Sequence, residues 1–569
     1  MRKVHFLCVL LFFFFANAIA QTNMGKVFYD LKDYELAKKY FQQKLAENPG
    51  EANYYLGEIA FAEGNIEEAA KFFNQGLPTN EPFCRIGLAK IDLKTGKKAE
   101  ALTTLLAVQK KYAGDMEVFA AMGYAYLDNK LKQDVQAVIK DMQKINKSHP
   151  GIYILEGDML KDEDKIGEAA GKYEMAIYFD SKYDLAYIKL VEVYERSNWQ
   201  IAVEKINDLL ERNPDYLIAY RYLGRIYTNN GNYTKAIEAY KKFFAAENYT
   251  LDDIAKYVQA LFFNKNYEDA NEWIKKGLAI APNHFVLNRL QMYVAAYTLN
   301  IEAGLKYADF FFALKKGQHN EYIALDYSTY ALLLKEAKKY DEAIDNYKKA
   351  LLLDPSSVDF YKEMATIANL KGQNGVAADY FKIFIEKKGI NKFEITDVFN
   401  MGRYYYIAGT VRNATDTTLI LSRIHDADFI KAISENELQK DSLLADENMY
   451  IEKAVHYYIN QANKAFDLVI ELNPTSYLGH LWKARASSML DPESTIGLAK
   501  PYYEKTLEIL LEREDKKPVI AFILEAYRYL AYFYYLKEDF PNVRLNCEKI
   551  LEIDPDEPTG NTLLKAIKK

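Results

Sequence analysis

One stretch of the sequence, Ala219–Phe244, constrains the fold of this chain more than any other. Its first half places apolar or small residues at i, i+3, i+4 and i+7 from Tyr220, and its second half has a similar spacing from Ala236. Each set lines one face of an α-helix. Residues 229–232, Asn-Asn-Gly-Asn, are a turn signal between them. The stretch therefore predicts two antiparallel helices, and neither can bury its apolar face without a neighbouring pair.

The same unit recurs along the chain at a fixed spacing. In the stretch above, Gly224 is followed 12 residues later by Ala236, and Tyr240 comes 4 residues after that. Small residues let two helices cross closely, and the aromatic ring fills the groove beside the crossing. These steps also occur at Gly25–Ala37–Phe41, Gly57–Ala69–Phe73, Gly157–Ala169–Tyr173, Ala331–Ala343–Tyr347 and Ala365–Ala377–Phe381.

A proline placed 12 residues after the second small residue closes several units. Proline removes a backbone donor and pushes the preceding residue out of the helical region, so it is predicted to end the second helix. The pairs are Ala37–Pro49, Ala202–Pro214, Ala270–Pro282, Ala343–Pro355, Ala462–Pro474 and Val543–Pro555.

At these residues the sequence resembles the tetratricopeptide repeat. Ala219–Phe244 follows the aromatic–Leu-Gly–Tyr…Gly–Tyr…Ala…aromatic signature of that family almost throughout. The resemblance implies an all-α tetratricopeptide-repeat solenoid, a right-handed superhelix of antiparallel helix pairs with about 13–14 repeats and one long insertion. A chain of 569 residues is too long for one compact core but suits such an array.

Composition argues against one class of partner. The net charge of −7 is small for this length and no basic face is evident, so nucleic acid is not an expected partner. The 47 tyrosines suit half-buried positions of the repeats, where a ring packs while its hydroxyl remains hydrated.

Residues 1–20 have the pattern of a secretory signal peptide. A charged start at Arg2 is followed by an apolar run, Phe6–Phe15, that is too short to span a bilayer. Ala18-Ile19-Ala20 then offers small residues before a cleavage site. We therefore predict cleavage after Ala20, no membrane insertion of the mature chain, and an exported, soluble protein of a bacterial periplasm.

The repeat pattern is interrupted after Gly402, because the matching small residue, Ala462, comes about 48 residues late. We assign residues 21–410 to the main array, 411–455 to an insertion, 456–558 to C-terminal repeats and 559–569 to a capping helix. Thr417–Ser422 within the insertion could be a strand or a helix. A long excursion inside a compact array is either disordered or functional.

No motif for catalysis, cofactor binding or metal binding occurs in the sequence. None of the seven histidines pairs with another at i+3 or i+4, and Cys-x-x-Cys, phosphate-loop and Gly-x-Ser-x-Gly motifs are absent. Cys84 and Cys547 lie near opposite ends of the predicted array and are interpreted as structural thiols. We predict no enzyme activity, no cofactor and no metal site.

The resemblance also implies a partner-binding surface. In tetratricopeptide arrays the first helix of each pair, helix A, lines a concave face that usually holds an extended peptide or a partner's helix. Carried over by position, this gives candidates that combine aromatic rings with arginine, which suits protein recognition. They are Tyr54, Tyr55, Glu58 and Phe61; Arg221, Tyr222, Arg225 and Asn229; Phe399, Asn400, Arg403 and Tyr406; and Arg528, Tyr529, Tyr532 and Tyr535.

Three functional hypotheses follow. The first is a non-catalytic protein–protein interaction scaffold in the bacterial cell envelope, which binds partner proteins or peptides in the concave groove as part of an envelope complex. The second is a substrate-holding or lid-bearing accessory module of an envelope glycan- or peptide-processing or uptake system. The third is a self-assembling structural protein whose array ends stack on one another. The sequence favours the first and does not identify the partner.

Overall fold

The computed structural model describes residues 24–245, 248–314, 321–389 and 392–567. Within these ranges the chain forms α-helices and one short 3-10 helix and contains no β-strand, which confirms the predicted all-α fold. The chain divides into two compact units, unit 1 up to Val294 and unit 2 from Ala295. The predicted signal peptide, residues 1–20, lies outside the described residues.

Unit 1 is a succession of antiparallel helix pairs. Its helices are α1 (24–30), α2 (Tyr34–Lys44), α3 (Pro49–Ala62), α4 (Ile66–Gly76), α5 (Glu81–Lys94), α6 (Lys98–Lys111), α7 (Met116–Asp128), α8 (Lys132–Ile145), α9 (Pro150–Asp162), α10 (Ile166–Phe179), α11 (Asp184–Ser197), α12 (Trp199–Arg212), α13 (Leu217–Asn229), α14 (Tyr233–Phe244), α15 (Leu251–Phe263), α16 (Tyr267–Ile280) and α17 (Phe285–Tyr297), in which the boundary falls.

Unit 2 has the same construction with one interruption. Its further helices are α18 (Ile301–Ala313), α19 (Ala324–Glu336), α20 (Tyr340–Leu353), α21 (Asp359–Leu370), α22 (Asn374–Lys388), α23 (Ile395–Ala408), α24 (Ala414–Leu421), α25 (Ala427–Ile433), α26 (Glu437–Ala445), α27 (Glu447–Leu472), α28 (Tyr477–Leu490), α29 (Lys500–Leu511), the 3-10 helix Lys517–Val519, α30 (Ile520–Leu536), α31 (Phe540–Ile553) and α32 (Pro558–Ala566).

Close helix crossings hold the pairs together as the spacing predicts. A Cβ atom added to Gly224 of α13 would lie 2.7 Å from the ring of Tyr240 in α14. The same test at Gly157 places a Cβ 2.4 Å from the ring of Tyr173. Such distances are shorter than van der Waals contact, so only a glycine lets the two backbones approach around the aromatic ring.

The turn inside most pairs repeats one backbone conformation, and the α11–α12 turn, where Asn198 has a φ of −153°, is an exception. A single residue takes a positive φ, for example 73° at Gly231 and 60° at Lys338. Glycine adopts this left-handed region without strain. Equivalent residues recur at Lys32, Gly64, Gly96, Lys130, Asp164, Lys265, Leu299, Gly372 and Glu538. The repeat is therefore visible in the backbone independently of the side-chain pattern.

The predicted proline stops hold for five of six units. The second helix of the pair ends two residues before the proline in each of them: α12 before Pro214, α16 before Pro282, α20 before Pro355, α27 before Pro474 and α31 before Pro555. The prediction for Pro49 is wrong, because α2 already ends at Lys44 and Pro49 is the first residue of α3. Proline is favoured there because the first helical turn needs no amide donor from it.

The insertion folds into three short helices, α24, α25 and α26. Thr417–Ser422, for which the sequence allowed a strand or a helix, falls in α24 and its C-cap. Residues 447–455 form the first turns of the long helix α27, which contains Ala462. A Cβ added to Gly402 would lie 2.7 Å from the ring of Phe466. The pair α23–α27 is therefore an ordinary helix pair whose connection has been lengthened.

Both cysteines of the described chain are buried free thiols, as predicted. Cys84 lies on α5 of unit 1 and Cys547 on α31 of unit 2. Burial raises the pKa of the Cys84 thiol to about 12 and that of the Cys547 thiol to about 11. Both groups remain protonated at neutral pH and act as small apolar side chains.

Candidate partner-binding site

The predicted partner-binding residues all lie on first helices of pairs. We call the surface that these helices share within one unit its helix-A face; α3 and α13 belong to it in unit 1, and α23, α28 and α30 in unit 2. The structure places Tyr54 and Tyr55 on α3; Arg221, Tyr222, Arg225 and Asn229 on α13; Arg403 and Tyr406 on α23; and Arg528, Tyr529, Tyr532 and Tyr535 on α30.

The two tyrosines of α3 pack inside unit 1. Tyr54 is buried, and its ring centroid lies 5.3 Å from that of Phe83. The ring of Tyr55 stacks on Phe41 at 4.5 Å and meets Tyr29 edge-on at 5.2 Å. Burial raises the pKa of both phenols well above the ordinary value. These rings stabilise the unit; Tyr54 is closed to a partner, whereas Tyr55 is half-buried.

Arg221 of α13 already binds two carboxylates of its own chain. Its Nη1 donates to Asp33 Oδ2 at 2.5 Å, and its Nε donates to Asp253 Oδ1 at 2.6 Å. The Arg221 side chain is 17% exposed, and the side chains of Asp33 and Asp253 are 13% and 6% exposed. Charge-assisted hydrogen bonds of this kind are among the stronger ones in proteins. The donors of this guanidinium are therefore committed within the chain.

The remaining residues of α13 divide between internal contacts and solvent. The hydroxyl of Tyr222 donates to Glu192 at 2.7 Å. Arg225 forms a bidentate pair with Glu195 at 2.8 and 2.5 Å, and its guanidinium lies 4.4 Å from the Tyr222 ring centroid. Asn229 is exposed at the end of the helix. Of the predicted α13 residues, Asn229 is exposed and the Arg225 side chain is 35% exposed although it is paired.

Arg403 on α23 of unit 2 contrasts with Arg221. Among the described residues its guanidinium makes no ion pair, and its Nε is buried without a hydrogen-bond partner. The guanidinium carbon lies 5.4 Å from the ring centroid of Tyr404. A buried donor without an acceptor costs free energy, and a guanidinium fork matches a carboxylate. The guanidinium of Arg403 is therefore not committed to a carboxylate among the described residues.

Aromatic rings lie on both sides of Arg403. Phe399, Arg403 and Tyr406 follow one another at i, i+4 and i+7, so they share one face of α23. The ring of Trp482 on α28 meets Phe399 at 5.9 Å and Tyr406 at 5.4 Å, both edge-on. The guanidinium of Arg485 lies 4.9 Å from the Trp482 ring centroid. The arrangement is an aromatic and cationic strip across α23 and α28.

A cleft of about 460 Å³ opens beside this strip. Inside it, Arg485 donates to both oxygens of Glu525, at 2.8 and 2.6 Å. The hydroxyl of Tyr503 also donates to Glu525, at 3.1 Å. The cleft is lined by Tyr406, Arg485, Ser488, Met489, Pro492, Tyr503 and Glu525. It offers apolar walls with a few fixed polar groups, as ligand-binding clefts usually do.

The candidates on α30 have different environments. Arg528 donates to Glu557 at 2.6 Å, and Glu557 in turn accepts the amide of Gly560 at the start of α32. The ring of Tyr529 lies 4.7 Å from Tyr503, which lines the cleft. Tyr532 is 43% exposed, and Tyr535 is half-buried. Tyr406 and Tyr503 thus line the same cleft and Tyr529 packs against Tyr503, while Arg528 serves to hold α32.

Sequence reasoning missed Arg485, Met489 and Glu525. The turn after the helix that carries Arg485 and Met489 is long, so a fixed spacing does not predict which residues of the following helices lie beside it. An aromatic residue three positions before an arginine on a first helix, as in Trp482 and Arg485, is the signal that could have found this strip.

The insertion is fixed to unit 2 by a buried arginine. Arg423 pairs with Asp379 at 2.7 Å and Asp426 at 2.6 Å, and it also donates to the hydroxyl of Tyr458. Its guanidinium lies 3.8 Å from the ring centroid of Phe429. The side chain is 10% exposed, so these contacts are largely desolvated. The insertion is held against α22 and α27 by these contacts.

Two searches of the described residues bear on other kinds of site. They contain no group of three or more histidine, cysteine, aspartate or glutamate side chains arranged to hold a metal ion. None of the helices in the described part of the chain is long and apolar enough to cross a membrane.

Comparison with known families identifies tetratricopeptide repeats in three regions. One tetratricopeptide-repeat model matches residues 22–82 and 192–250, and a second matches residues 327–357. These regions include the pair around Gly224, whose close crossing is described above. The predicted fold class, an all-α tetratricopeptide-repeat solenoid, is thereby confirmed.

Two animal proteins are similar to part of the chain. The mouse Superkiller complex protein 3 is 26% identical over 232 residues, which is 40% of this chain and 14% of the mouse protein. The bovine BBSome complex member BBS4 is 24% identical over 222 residues, which is 38% of this chain and 42% of the bovine protein. The chain thus spans less than half the length of either relative.

Solved structures are similar over part of the chain as well. The C-terminal part of a TPR repeat-containing protein from Cytophaga hutchinsonii is 22% identical, with a TM-score of 0.36, over 55% of this chain and 99% of that one. PilW, described as a type IV pilus biogenesis factor, is 16% identical with a TM-score of 0.30, over 36% of this chain and 96% of that one.

Proposed function

We propose that this chain of tetratricopeptide repeats is a non-catalytic protein–protein interaction scaffold of the bacterial cell envelope, and that it binds partner proteins or peptides on the helix-A face of unit 2. The observation that carries the proposal is Arg403, a guanidinium without a counter-ion among the described residues, placed between aromatic rings beside a cleft of about 460 Å³. Arginine and aromatic side chains are the residues that most often dominate binding energy at protein interfaces.

The chemistry of this face favours an acidic, extended peptide. A carboxylate of the partner would accept from Arg403 in the bidentate geometry that guanidinium prefers. An apolar or aromatic side chain of the partner would pack on Tyr406 and Trp482 or enter the cleft beside Met489. The ion pair of Arg485 with Glu525 fixes the wall of the cleft before binding, which lowers the entropy lost on association.

The envelope location rests on residues 1–20 of the sequence. Their charged start, short apolar run and small residues before Gln21 are typical of a cleaved signal. N-terminal sequencing of the protein recovered from its native cell tests this directly. Export predicts a mature chain that begins at Gln21 and is recovered from the periplasmic fraction, whereas a cytoplasmic chain starting at Met1 would contradict it.

The binding proposal is tested with the full-length chain and an array of synthetic extended peptides. Peptides in which an acidic residue neighbours an aromatic one are expected to bind, while their Lys-substituted counterparts do not. The variant carrying Arg403→Ala and Tyr406→Ala is expected to lose at least about tenfold in affinity, the usual cost of removing an interface anchor.

A matched control uses Arg513→Ala. Arg513 is exposed in unit 2, and its side chain makes no ion pair among the described residues. Its replacement therefore also removes one positive charge, but not from the proposed binding face. Equal binding by wild type and the Arg403/Tyr406 variant, or equal loss in the Arg513 variant, would contradict the assignment of this face.

A further inference from the structure

The connection between α28 and α29 in unit 2 is longer than the turn of a regular helix pair. Nine residues, 491–499, separate these two helices, whereas three residues, 230–232, separate α13 from α14. We call residues 491–499 the α28–α29 loop. Pro492 of this loop lines the cleft together with Tyr406 and Arg485. Long connections inside compact arrays are often functional, and this one adjoins the proposed binding face.

Asp491 fixes the course of the loop. Its carboxylate accepts the backbone amides of Ile496 at 3.1 Å, Gly497 at 2.6 Å and Leu498 at 3.3 Å. Asp491 is only 4% exposed, so these charge-assisted hydrogen bonds are largely shielded from water. The loop also contains two residues with a positive φ, 53° at Ser494 and 82° at Gly497. The loop therefore has a defined shape without a partner.

A row of aromatic rings connects the loop with the cleft. A Cβ atom added to Gly497 would lie 2.4 Å from the ring of Phe533 on α30, so only a glycine lets the loop approach this ring. Phe533 lies nearly parallel to Tyr529, with ring centroids 6.5 Å apart. Tyr529 in turn packs on Tyr503, which lines the cleft. The loop and the cleft are therefore parts of one continuous surface.

The loop presents aliphatic side chains to solvent. Ile496 is 72% exposed and Leu498 is 40% exposed, although the backbone amides of both are bound by Asp491. Met489, at the edge of the cleft, is also exposed. A single exposed apolar residue is ordinary, but a group of them on an ordered loop beside a cleft is typical of an interaction surface.

Lys537 adds a cation beside the loop. Its Nζ donates to the Thr495 carbonyl at 2.8 Å, and it makes no ion pair with any described residue. Arg403 on α23 is a second cation of this face without a carboxylate partner among the described residues. The cleft joins the helix of Arg403 to the loop beside Lys537, because Tyr406 and Pro492 both line it. A partner with an acidic residue at each end of an apolar stretch would complement these charges.

We propose that the α28–α29 loop is a second contact element of the binding face of unit 2, and that it selects peptides in which two aliphatic residues and a further acid adjoin the acidic and aromatic residues bound by Arg403 and the cleft. The aliphatic pair packs on Ile496 and Leu498, and the further acid meets Lys537. This inference rests on the proposed function, because it names the partner segment that continues from the cleft. Since Asp491 already orders the loop, little conformational entropy is lost when the contact forms.

The test measures the affinity of labelled peptides for full-length chains by fluorescence anisotropy. A short peptide carries one acidic and one aromatic residue, and two longer peptides add Ile-Leu-Asp at its amino or its carboxyl end. One of the longer peptides is expected to bind wild type at least about tenfold more tightly than the short one, because it buries aliphatic side chains on the loop. The gain is expected to disappear in the double variant Ile496→Ser, Leu498→Ser. It is expected to remain in the control variant Leu352→Ser, Leu353→Ser, which changes two exposed aliphatic residues of α20 in the same unit.

The outcomes separate this inference from the proposed function. Equal affinity of wild type for the short and longer peptides, the same gain in the Ile496/Leu498 variant, or loss of the gain in the Leu352/Leu353 variant would overturn the inference and leave binding of the short peptide intact. If the short peptide does not bind, the proposed function fails, and the longer peptides still test the loop through the same two variants; binding of neither longer peptide would overturn both proposals. Amide hydrogen exchange gives the answer without a substitution, because only the longer peptide is expected to protect residues 494–499. Absence of that protection would also overturn the inference.

Discussion

Units 1 and 2 are built from the same helix pair, yet their helix-A faces differ in what they leave accessible. In unit 1, Arg221 holds Asp33 and Asp253, so its donors are used within the chain. In unit 1, Arg225, which directly follows Gly224, is likewise paired with Glu195. In unit 2, Arg403, which follows Gly402 in the same way, makes no ion pair with any described residue and stands beside an open cleft. Repeat position therefore determines where a side chain lies, but the partners available from the rest of the chain decide whether it can bind another protein.

The largest expected difference between the units is the effect of removing these arginines. Arg221→Ala leaves Asp33 and Asp253 largely desolvated without a cation and is expected to lower the free energy of unfolding by about 3 kcal/mol. Arg403→Ala removes no ion pair and is expected to change it by less than about 0.5 kcal/mol while it weakens peptide binding. Urea unfolding followed by circular dichroism measures both, and a similar cost for the two variants would remove the distinction.

The helix crossings are expected to respond alike in both units. Gly224→Leu and Gly402→Leu would each force a side chain into the ring of Tyr240 or Phe466, and each is expected to cost about 2–3 kcal/mol of unfolding free energy. Gly171→Ala is the control, because a Cβ at this exposed helical position meets nothing within 4 Å. It is expected to stabilise by about 0.5–1 kcal/mol. If Gly402→Leu leaves the unfolding free energy unchanged, the pair α23–α27 does not pack through this crossing.

The pattern of small residues explains why so much of the fold could be predicted. Gly57, Gly157 and Gly224 each accept an aromatic ring from the partner helix, and the sequence places both members at constant separation. The pair Gly402–Phe466 follows the same rule even though the insertion separates its members. Pro49 was misjudged because a proline after a helix and a proline that begins the next helix have the same local signature.

Whether the arginines of the candidate sites are already paired within the chain could not be predicted in the same way. Whether Arg221 or Arg403 is free depends on contacts such as Asp33 with Arg221, which join residues far apart in the sequence. Repeat position contains no information about such pairs. The course of the insertion was equally inaccessible, because the buried contacts of Arg423 with Asp379 and Tyr458 link segments without a common period.

The pH dependence of the unfolding free energy of unit 1 should reveal the raised pKa of Asp30. Because desolvation raises the pKa of its carboxyl from 3.8 to about 6, folding favours the protonated form. That contribution is fully present below pH 3.8 and is lost as the pH rises through about 6. Asp30→Asn is therefore expected to raise the unfolding free energy by about 1 kcal/mol at pH 8 and to leave it unchanged at pH 3.5. Glu35→Gln serves as the exposed control, and an equal effect at both pH values would contradict this explanation.

The labelling rates of the two thiols provide the smallest expected effect. They also report on each unit separately, because each unit contains one cysteine. Burial raises the pKa of Cys84 to about 12 and that of Cys547 to about 11, so both should react at least about tenfold more slowly than a free thiol at pH 8. Arg221→Ala is expected to speed labelling of Cys84 and not of Cys547. Labelling followed by peptide mass mapping distinguishes the two sites, and a parallel increase at both would show that the perturbation is not confined to unit 1.

The most direct test of the account is the hydrogen-exchange footprint of an acidic, aromatic peptide selected from the array, bound to the full-length wild-type chain. We expect protection on α23, α28 and α30 of unit 2 and no change on α13 of unit 1. Protection of α13 with unit 2 unchanged would show that the peptide binds the helix-A face of unit 1, where Arg221 is already paired within the chain. That result would contradict the account.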